Sequence, residues 1–187
     1  TNPKLMDKAM QRAAYAMNDV VDAFAANLLA INVHADNAIG TNDVPIVPTR
    51  ADAYDCLVDL NTKLTEANVA KMGRWVVIPA FYHGLLLKDD RFVGNGTDYN
   101  QAILEGGEVG KAAGFTVYVS NNVPNTEGAK YKVIAGTTEA GSYAEQILNT
   151  EAYRPEKRFS DAVKGLHTYG AKVLQSKCIA VLTCNKA

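Results

Sequence analysis

The sequence has no excess of either charge. Across 187 residues, 19 lysines and arginines stand against 20 aspartates and glutamates, for a net charge of −1. A protein that grips nucleic acid by bulk charge carries a basic excess or a dense basic patch. Here the lysines are scattered, which argues against that class. Cysteine is scarce: Cys56, Cys178 and Cys184 are an odd number with no tight pairing pattern. That argues against a disulfide framework and fits small buried thiols in a reducing compartment. No apolar run approaches the roughly 20 residues that span a bilayer, so no membrane partner is expected. Histidine is equally thin. His34, His83 and His167 lie far apart, and none has another histidine or cysteine at metal-ligand spacing. The lone sequon, Asn95-Gly96-Thr97, reads as a chance match.

What remains is ordinary globular material, 48% apolar and 21% charged, enough for one large domain or two small ones. Asn2-Pro3 is a good helix start. Met6, Met10, Ala13, Met17, Val20, Val21, Phe24 and Leu28 then recur at three- and four-residue spacing, with Lys4, Lys8, Gln11, Arg12, Asp19 and Asp22 on the other face. This predicts an amphipathic helix from Pro3 to about Ala30, roughly 40 Å long. Ile31 to Pro48, rich in asparagine, glycine and proline, reads as a connection. Thr49-Arg50-Ala51-Asp52 resembles a capping box. It opens a second helix with Tyr54, Leu57, Leu60, Leu64 and Ala67 on one face, ending at Gly73.

Trp75 to Ile78 reads as a buried strand, and Pro79 to Leu87 as a short helix with Phe81/Leu85 and Tyr82/Leu86 stacked at i, i+4. Arg91 to Tyr99 reads as a loop and Tyr99 to Glu105 as a short helix. Phe115 to Ser120 alternates as a half-buried strand, and Tyr131 to Ala135 is a further strand. The polar segment Asn121 to Lys130 between them is expected to be exposed and mobile. Ser142 to Leu148 fits helix or strand, whereas Phe159 to Val173 has strand character, with His167, Tyr169, Ala171 and Val173 alternating. Cys178 to Cys184 is most simply an interior strand.

Each chemical motif fails on inspection. Gly106-Gly107-Glu108-Val109-Gly110-Lys111-Ala112 is one residue short of a phosphate loop, and Ala112 replaces the hydroxyl that would meet magnesium. Cys178 and Cys184 would stand about 20 Å apart on a straight strand, too far to share a metal or a disulfide. Asp89-Asp90 and Glu105/Glu108 read as solvated acids flanking turns, and His83 as an exposed or interface residue. Arg154, Lys157 and Arg158 are balanced by Glu151 and Glu156, which suits a surface or subunit contact. The sequence therefore predicts no catalytic residue, no metal ligand, no cofactor-binding residue and no cofactor.

The order of parts between Arg74 and Val123 carries a resemblance. Trp75-Val76-Val77, Pro79, Phe81-Tyr82, Leu85-Leu86-Leu87, Lys88-Asp89 and Arg91-Phe92 precede the turn Gly107, Gly110, Gly114-Phe115. Val117-Tyr118-Val119-Ser120-Asn121-Asn122 and Pro124 follow. This resembles the major capsid (coat) protein of tailed bacteriophages, the Hong Kong 97 bacteriophage fold. The run Asn149 to Val173 fits the same family, so the resemblance covers most of the chain.

The resemblance implies an α+β fold with a long spine helix and two subdomains. Residues 1–48 would be the spine helix and linker of a peripheral domain, 49–148 an axial-domain-like region, and 149–187 strands returning to both. It implies a non-enzymatic shell subunit that self-assembles as capsomers into the icosahedral head of a tailed phage or prophage. That head encloses DNA without sequence-specific binding. Scaffolding and portal proteins would be partners, the virion its location and the host bacterial cytoplasm its place of assembly. The loop Asn121 to Lys130 would face neighbouring subunits. The arm and extended loop that precede the spine helix in this family have no counterpart here, so the sequence reads as a fragment, monomeric or weakly associated alone. Covalent cross-linking, known in some members, is not implied. The alternatives are an encapsulin-like nanocompartment shell, and a small α/β enzyme or ligand-binding domain, which would need a pocket with convergent polar groups.

Overall fold

A computed structural model describes residues 3–89, 110–154, 156 and 162–186. The first helix, α1, runs unbroken from Pro3 to Ile31, as its periodicity predicts. Its length is about 44 Å at 1.5 Å per residue. Helices α2 (Ala53–Glu66) and α3 (Ala80–Leu86) are shorter. The strands are β1 (Ala38–Ile39), β2 (Trp75–Ile78), β3 (Lys111–Ala112), β4 (Phe115–Val119), β5 (Tyr131–Gly136), β6 (Gly141–Tyr153), β7 (Ala162–Val173) and β8 (Ile179–Cys184). The sequence-predicted segments 91–99 and 99–105 lie outside the described residues.

Six strands form one mixed sheet in the order β1-β8-β5-β2-β4-β3, and β6 and β7 form a separate antiparallel hairpin. Every residue of β8 is buried. Because side chains alternate across a strand, both faces of β8 are covered. The core gathers Leu57, Leu60 and Leu64 of α2 with Val76, Ile78, Phe115, Val117 and Ile134 of the sheet. Each fully buried aliphatic side chain contributes roughly 1.5–3 kcal/mol. Ser142 to Leu148, ambiguous in the sequence, is strand, paired from Gly141↔Val173 to Tyr153↔Ala162 with an irregularity between Ile147 and Asn149.

Three local expectations are corrected. The segment 31–48 is more than a connection, because it supplies the sheet edge. Asn37, itself buried, donates from Nδ2 to the carbonyls of Lys177 (2.7 Å) and Ile179 (3.1 Å) and seats β1 alongside β8. Gly40 then turns away at φ +72°, where a Cβ would lie 2.8 Å from the Thr183 carbonyl. Only glycine fits that approach without strain.

The proposed capping box does not form. Thr49 Oγ1 donates to the Asp52 carboxylate (2.6 Å), the Asp52 N–H goes to the Thr49 carbonyl (3.2 Å) rather than to the hydroxyl, and the helix begins one turn later with the Ala53 N–H on that same carbonyl. Nor does α2 reach Gly73. It stops at Glu66, with Asn68 left-handed at φ 58°. The N–H of Asn68 bonds Thr65 O and that of Val69 bonds Leu64 O, both at 3.0 Å, while Val69 and Leu64 bury their side chains. Those paired bonds and the apolar contact are a Schellman stop, with asparagine in glycine's usual place.

Tyr82 is wholly buried and donates its hydroxyl to the Ala53 carbonyl at 2.8 Å, tying α3 to the first turn of α2. Cys56 and Cys184, 128 residues apart in sequence, flank it, and all three cysteines are free and buried. Burial pushes the Cys184 thiol up to about 12, and burial followed by the Asp59 and Asp52 carboxylates raises that of Cys56. Burial also raises the Tyr82 phenol. These acids stay neutral in the fold while the unfolded chain ionises them, so the unfolded state binds fewer protons in alkali. Stability is therefore full below the ordinary thiol value of 9.0 and falls as pH rises from there towards about 12. The expected slope is about 1.4 kcal/mol per pH unit for each such group. Urea unfolding at a series of pH values from 8 to 11 checks this. A flat profile contradicts it.

Candidate assembly surface

The C-terminal half of α1 packs on the body. Val21 is buried, Ala25, Leu28 and Leu29 are half-buried, and Ala26, Leu29, Ala30 and Val33 touch the core. One ring contact extends this to the hairpin: Phe24 meets Tyr169 edge-on at 5.4 Å. On the face of β7 turned to α1, His167, Tyr169, Ala171 and Val173 are half-buried, while Leu166, Thr168, Gly170 and Lys172 between them are exposed. Tyr143 donates to Glu145 Oε2 at 2.8 Å, and that oxygen lies 3.3 Å from His167 Nε2.

The apolar stripe that defines the helix in the sequence behaves differently. Met10, Met17, Val20, Phe24 and Ile31 are all exposed, Val20 at 59%. Every residue from Gln11 to Val20 is exposed. At roughly 100° per residue these five side chains form one stripe, and Asp19 lies about 140° round from its centre. Asp19 is held to the body: Asn122 Nδ2 donates to its carboxylate at 2.7 Å. Around Asp19, α1 therefore presents a polar side chain to the body, while Met17 and Val20 stand away from it.

That clasp also revises the loop Asn121 to Lys130. Val123 is buried, Gly128 N–H bonds Asn125 Oδ1 (3.1 Å), and Lys130 N–H bonds Asn185 Oδ1 (2.6 Å). The segment is exposed at Asn121 and from Asn125 to Gly128, yet anchored at both ends.

The residues tested for chemistry do not converge. His34 Nδ1 accepts from the Asp36 N–H at 3.4 Å as the cap of a single 3₁₀ turn. His83 is half-buried rather than exposed, its Nε2 has no hydrogen-bond partner among the described residues, and burial lowers its pKa. Cys178 sits in a 3₁₀ turn ahead of β8, not on the strand with Cys184. Lys111-Ala112 form β3; residues 106–109 lie outside the described residues. Asp89 is buried at 5%, not solvated; Asp90, Glu105, Glu108, Lys157 and Arg158 lie outside the described residues. Among the described residues, no group of three or more His, Cys, Asp or Glu is placed to hold a metal ion, and no helix is long and apolar enough to cross a membrane. An apolar cleft of about 230 Å³ between α1, Trp75 and the hairpin is lined by no carboxylate, imidazole or thiol.

A long helix laid on an antiparallel hairpin beside a mixed sheet is an architecture seen in solved structures. The chain is similar to one from Mycobacterium phage Che8, at 30% identity and TM-score 0.72, over 94% of this chain and 62% of that one. It is similar to the capsid of Cyanophage P-SCSP1u, at 16% identity and TM-score 0.65, over 100% and 67%. It is also similar to the holo-SrpI encapsulin complex from Synechococcus elongatus PCC 7942, at 14% identity and TM-score 0.60, over 98% and 67%. These define the class as an α+β fold of the phage-capsid kind. The match to the phage capsid protein family covers residues 2–182, and the chain belongs to that family. No curated protein matches it. The chain spans about 62% of the length of the Che8 chain.

The outward stripe was the part missed in the sequence, which reads a periodic apolar helix as a core helix. A signal was there. From Val20 onward the helix is apolar over one broad arc, from Val20, Ile31 and Phe24 round through Leu28 and Val21 to Ala25 and Leu29. An apolar arc that wide exceeds the stripe of about 100° that a single core-facing contact covers.

Proposed function

We propose that this chain is a structural subunit of a closed icosahedral shell, the head of a tailed phage or prophage. The family match over residues 2–182 carries this reading. The subunit acts by association with copies of itself as capsomers, without a catalytic centre or cofactor. It encloses DNA without reading its sequence, which accords with the net charge of −1. Scaffolding and portal proteins are its further partners, the virion is its location and the host bacterial cytoplasm its place of assembly. The six-stranded sheet with α2 and α3 is the axial part, and α1 with the hairpin is the peripheral part. Drawn this way, Ala38–Ile39 go with the axial sheet and all of Gly141–Tyr153 with the peripheral hairpin. An encapsulin-like nanocompartment is the second reading, supported by the likeness to the SrpI shell.

Sedimentation velocity and negative-stain microscopy test the shell reading. The 187-residue chain is expected to be monomeric or weakly associated. A polypeptide of the relatives' length containing these residues is expected to give capsomers or closed particles. If that longer polypeptide stays monomeric under all conditions, including with its scaffolding partner, the shell reading fails. Particles loaded with a protein cargo rather than DNA would select the encapsulin reading.

A further inference from the structure

We infer that the cleft between α1, Trp75 and the hairpin is a binding site for a small uncharged aromatic molecule that carries one hydroxyl or carbonyl group. The site is built by the single chain and is independent of the shell reading.

The room comes from small side chains. Ala25 of α1, Ala140 at the entry to β6 and Ala171 of β7 line the cleft, and Leu28, Leu29 and the Trp75 ring supply its broad apolar surfaces. Its volume is about 230 Å³. Apolar hollows on the order of 150 Å³ stay dry and take up one benzene ring, so this one admits two fused rings. The seam between parts of a fold is also where small-molecule sites commonly lie. A molecule seated there touches α1, the sheet and the hairpin at once and so holds their mutual placement.

Two observations set the chemistry of the occupant. The first is Thr137, which stands in the wall at 3% exposure. Its backbone is satisfied: the N–H donates to the Cys178 carbonyl at 3.3 Å, and the carbonyl accepts from the Ala140 N–H at 3.1 Å. Its hydroxyl has no hydrogen-bond partner among the described residues. Buried polar groups are nearly always paired, so a lone hydroxyl in the wall of a cleft marks where a ligand's own polar atom belongs. The second is charge. Lys172, the one charged residue of the wall, is exposed, and no carboxylate lines the cleft. An ammonium would find no counter-charge there, and an anion only a solvated lysine.

Trp75 is the sole tryptophan, so its indole N–H gives a single magnetic resonance signal that reports on the cleft. The isotope-labelled chain is titrated with naphthalene and with naphthol, which differ by one hydroxyl. Both are expected to move the Trp75 signal saturably, naphthol at several-fold lower concentration. Thr137→Val keeps the shape and removes the hydroxyl. It is expected to leave naphthalene binding unchanged and to abolish the preference for naphthol. Ala171→Leu fills the cleft and is expected to weaken both compounds by about tenfold or more. Ala25→Leu fills the same space from the helix side, and circular dichroism melting shows which variants are folded. No saturable shift up to the solubility limit overturns the inference and leaves a side chain, from this chain or another, as the filler. Binding that the folded filling variants leave undiminished overturns it as well. A naphthol preference that survives in Thr137→Val overturns the role of the hydroxyl and with it the class of ligand.

Discussion

Arg74→Met is expected to lower stability by about 3–5 kcal/mol, the sum of several buried oxygens each left unpaired at roughly 1–3 kcal/mol, and a large share of the roughly 5–15 kcal/mol that a folded domain has. Arg74 is 3% exposed, and every hydrogen bond described for its guanidinium goes to a neutral oxygen. Nε donates to Ala70 O (2.9 Å), Nη2 to Val69 O (2.6 Å), and Nη1 to Thr65 Oγ1 (2.9 Å), to Asn61 O (3.1 Å) and to the Asn61 side-chain oxygen. The carbonyls among them lie at the end of α2 and just past it, where the helix dipole is negative, so the cation is compensated by oriented dipoles. Methionine of similar length removes five donors and strands those oxygens in the interior. Arg74→Lys should recover only a part, because an ammonium cannot span that fan of acceptors. Chemical denaturation of the three forms checks the ranking. A methionine variant within 1 kcal/mol of the parent would show that water replaces the guanidinium there.

The second large effect is at Tyr82. Tyr82→Ala removes a fully buried ring between α2, α3 and β8 and should cost about 3–5 kcal/mol. Tyr82→Phe keeps the ring and loses only the hydroxyl, leaving the Ala53 carbonyl unpaired, for about 1–3 kcal/mol. The difference between the two separates packing from hydrogen bonding. Equal losses would mean that the hydroxyl alone holds α3 to α2.

The elements with strong local periodicity were legible: α1 to within a residue, β2 at both ends, and β4 with its alternation. Their boundaries are written in neighbouring residues. The edge strand Ala38–Ile39 was not legible, because its partner is Val181-Leu182 and nothing local marks two residues as a strand. The stop at Asn68 was overlooked for a related reason. Gly73 is the louder signal, while asparagine in a left-handed turn shows only in the pairing of Val69 with Leu64. The outward face of α1 was not legible either, because periodicity states that a helix has an apolar side without saying whose surface it meets.

The place of β8 governs the order of events as the chain is made. Residues 179–184 lie between β1 and β5, so the sheet cannot close until almost everything described here has left the ribosome. Helix α1 needs only its own residues to coil and leaves the ribosome well before β8. Pairings so distant in sequence are slow to form. For that interval the apolar stripe of α1 is on display before the sheet of its own chain has closed. What meets that stripe first is then a matter of timing as much as of affinity.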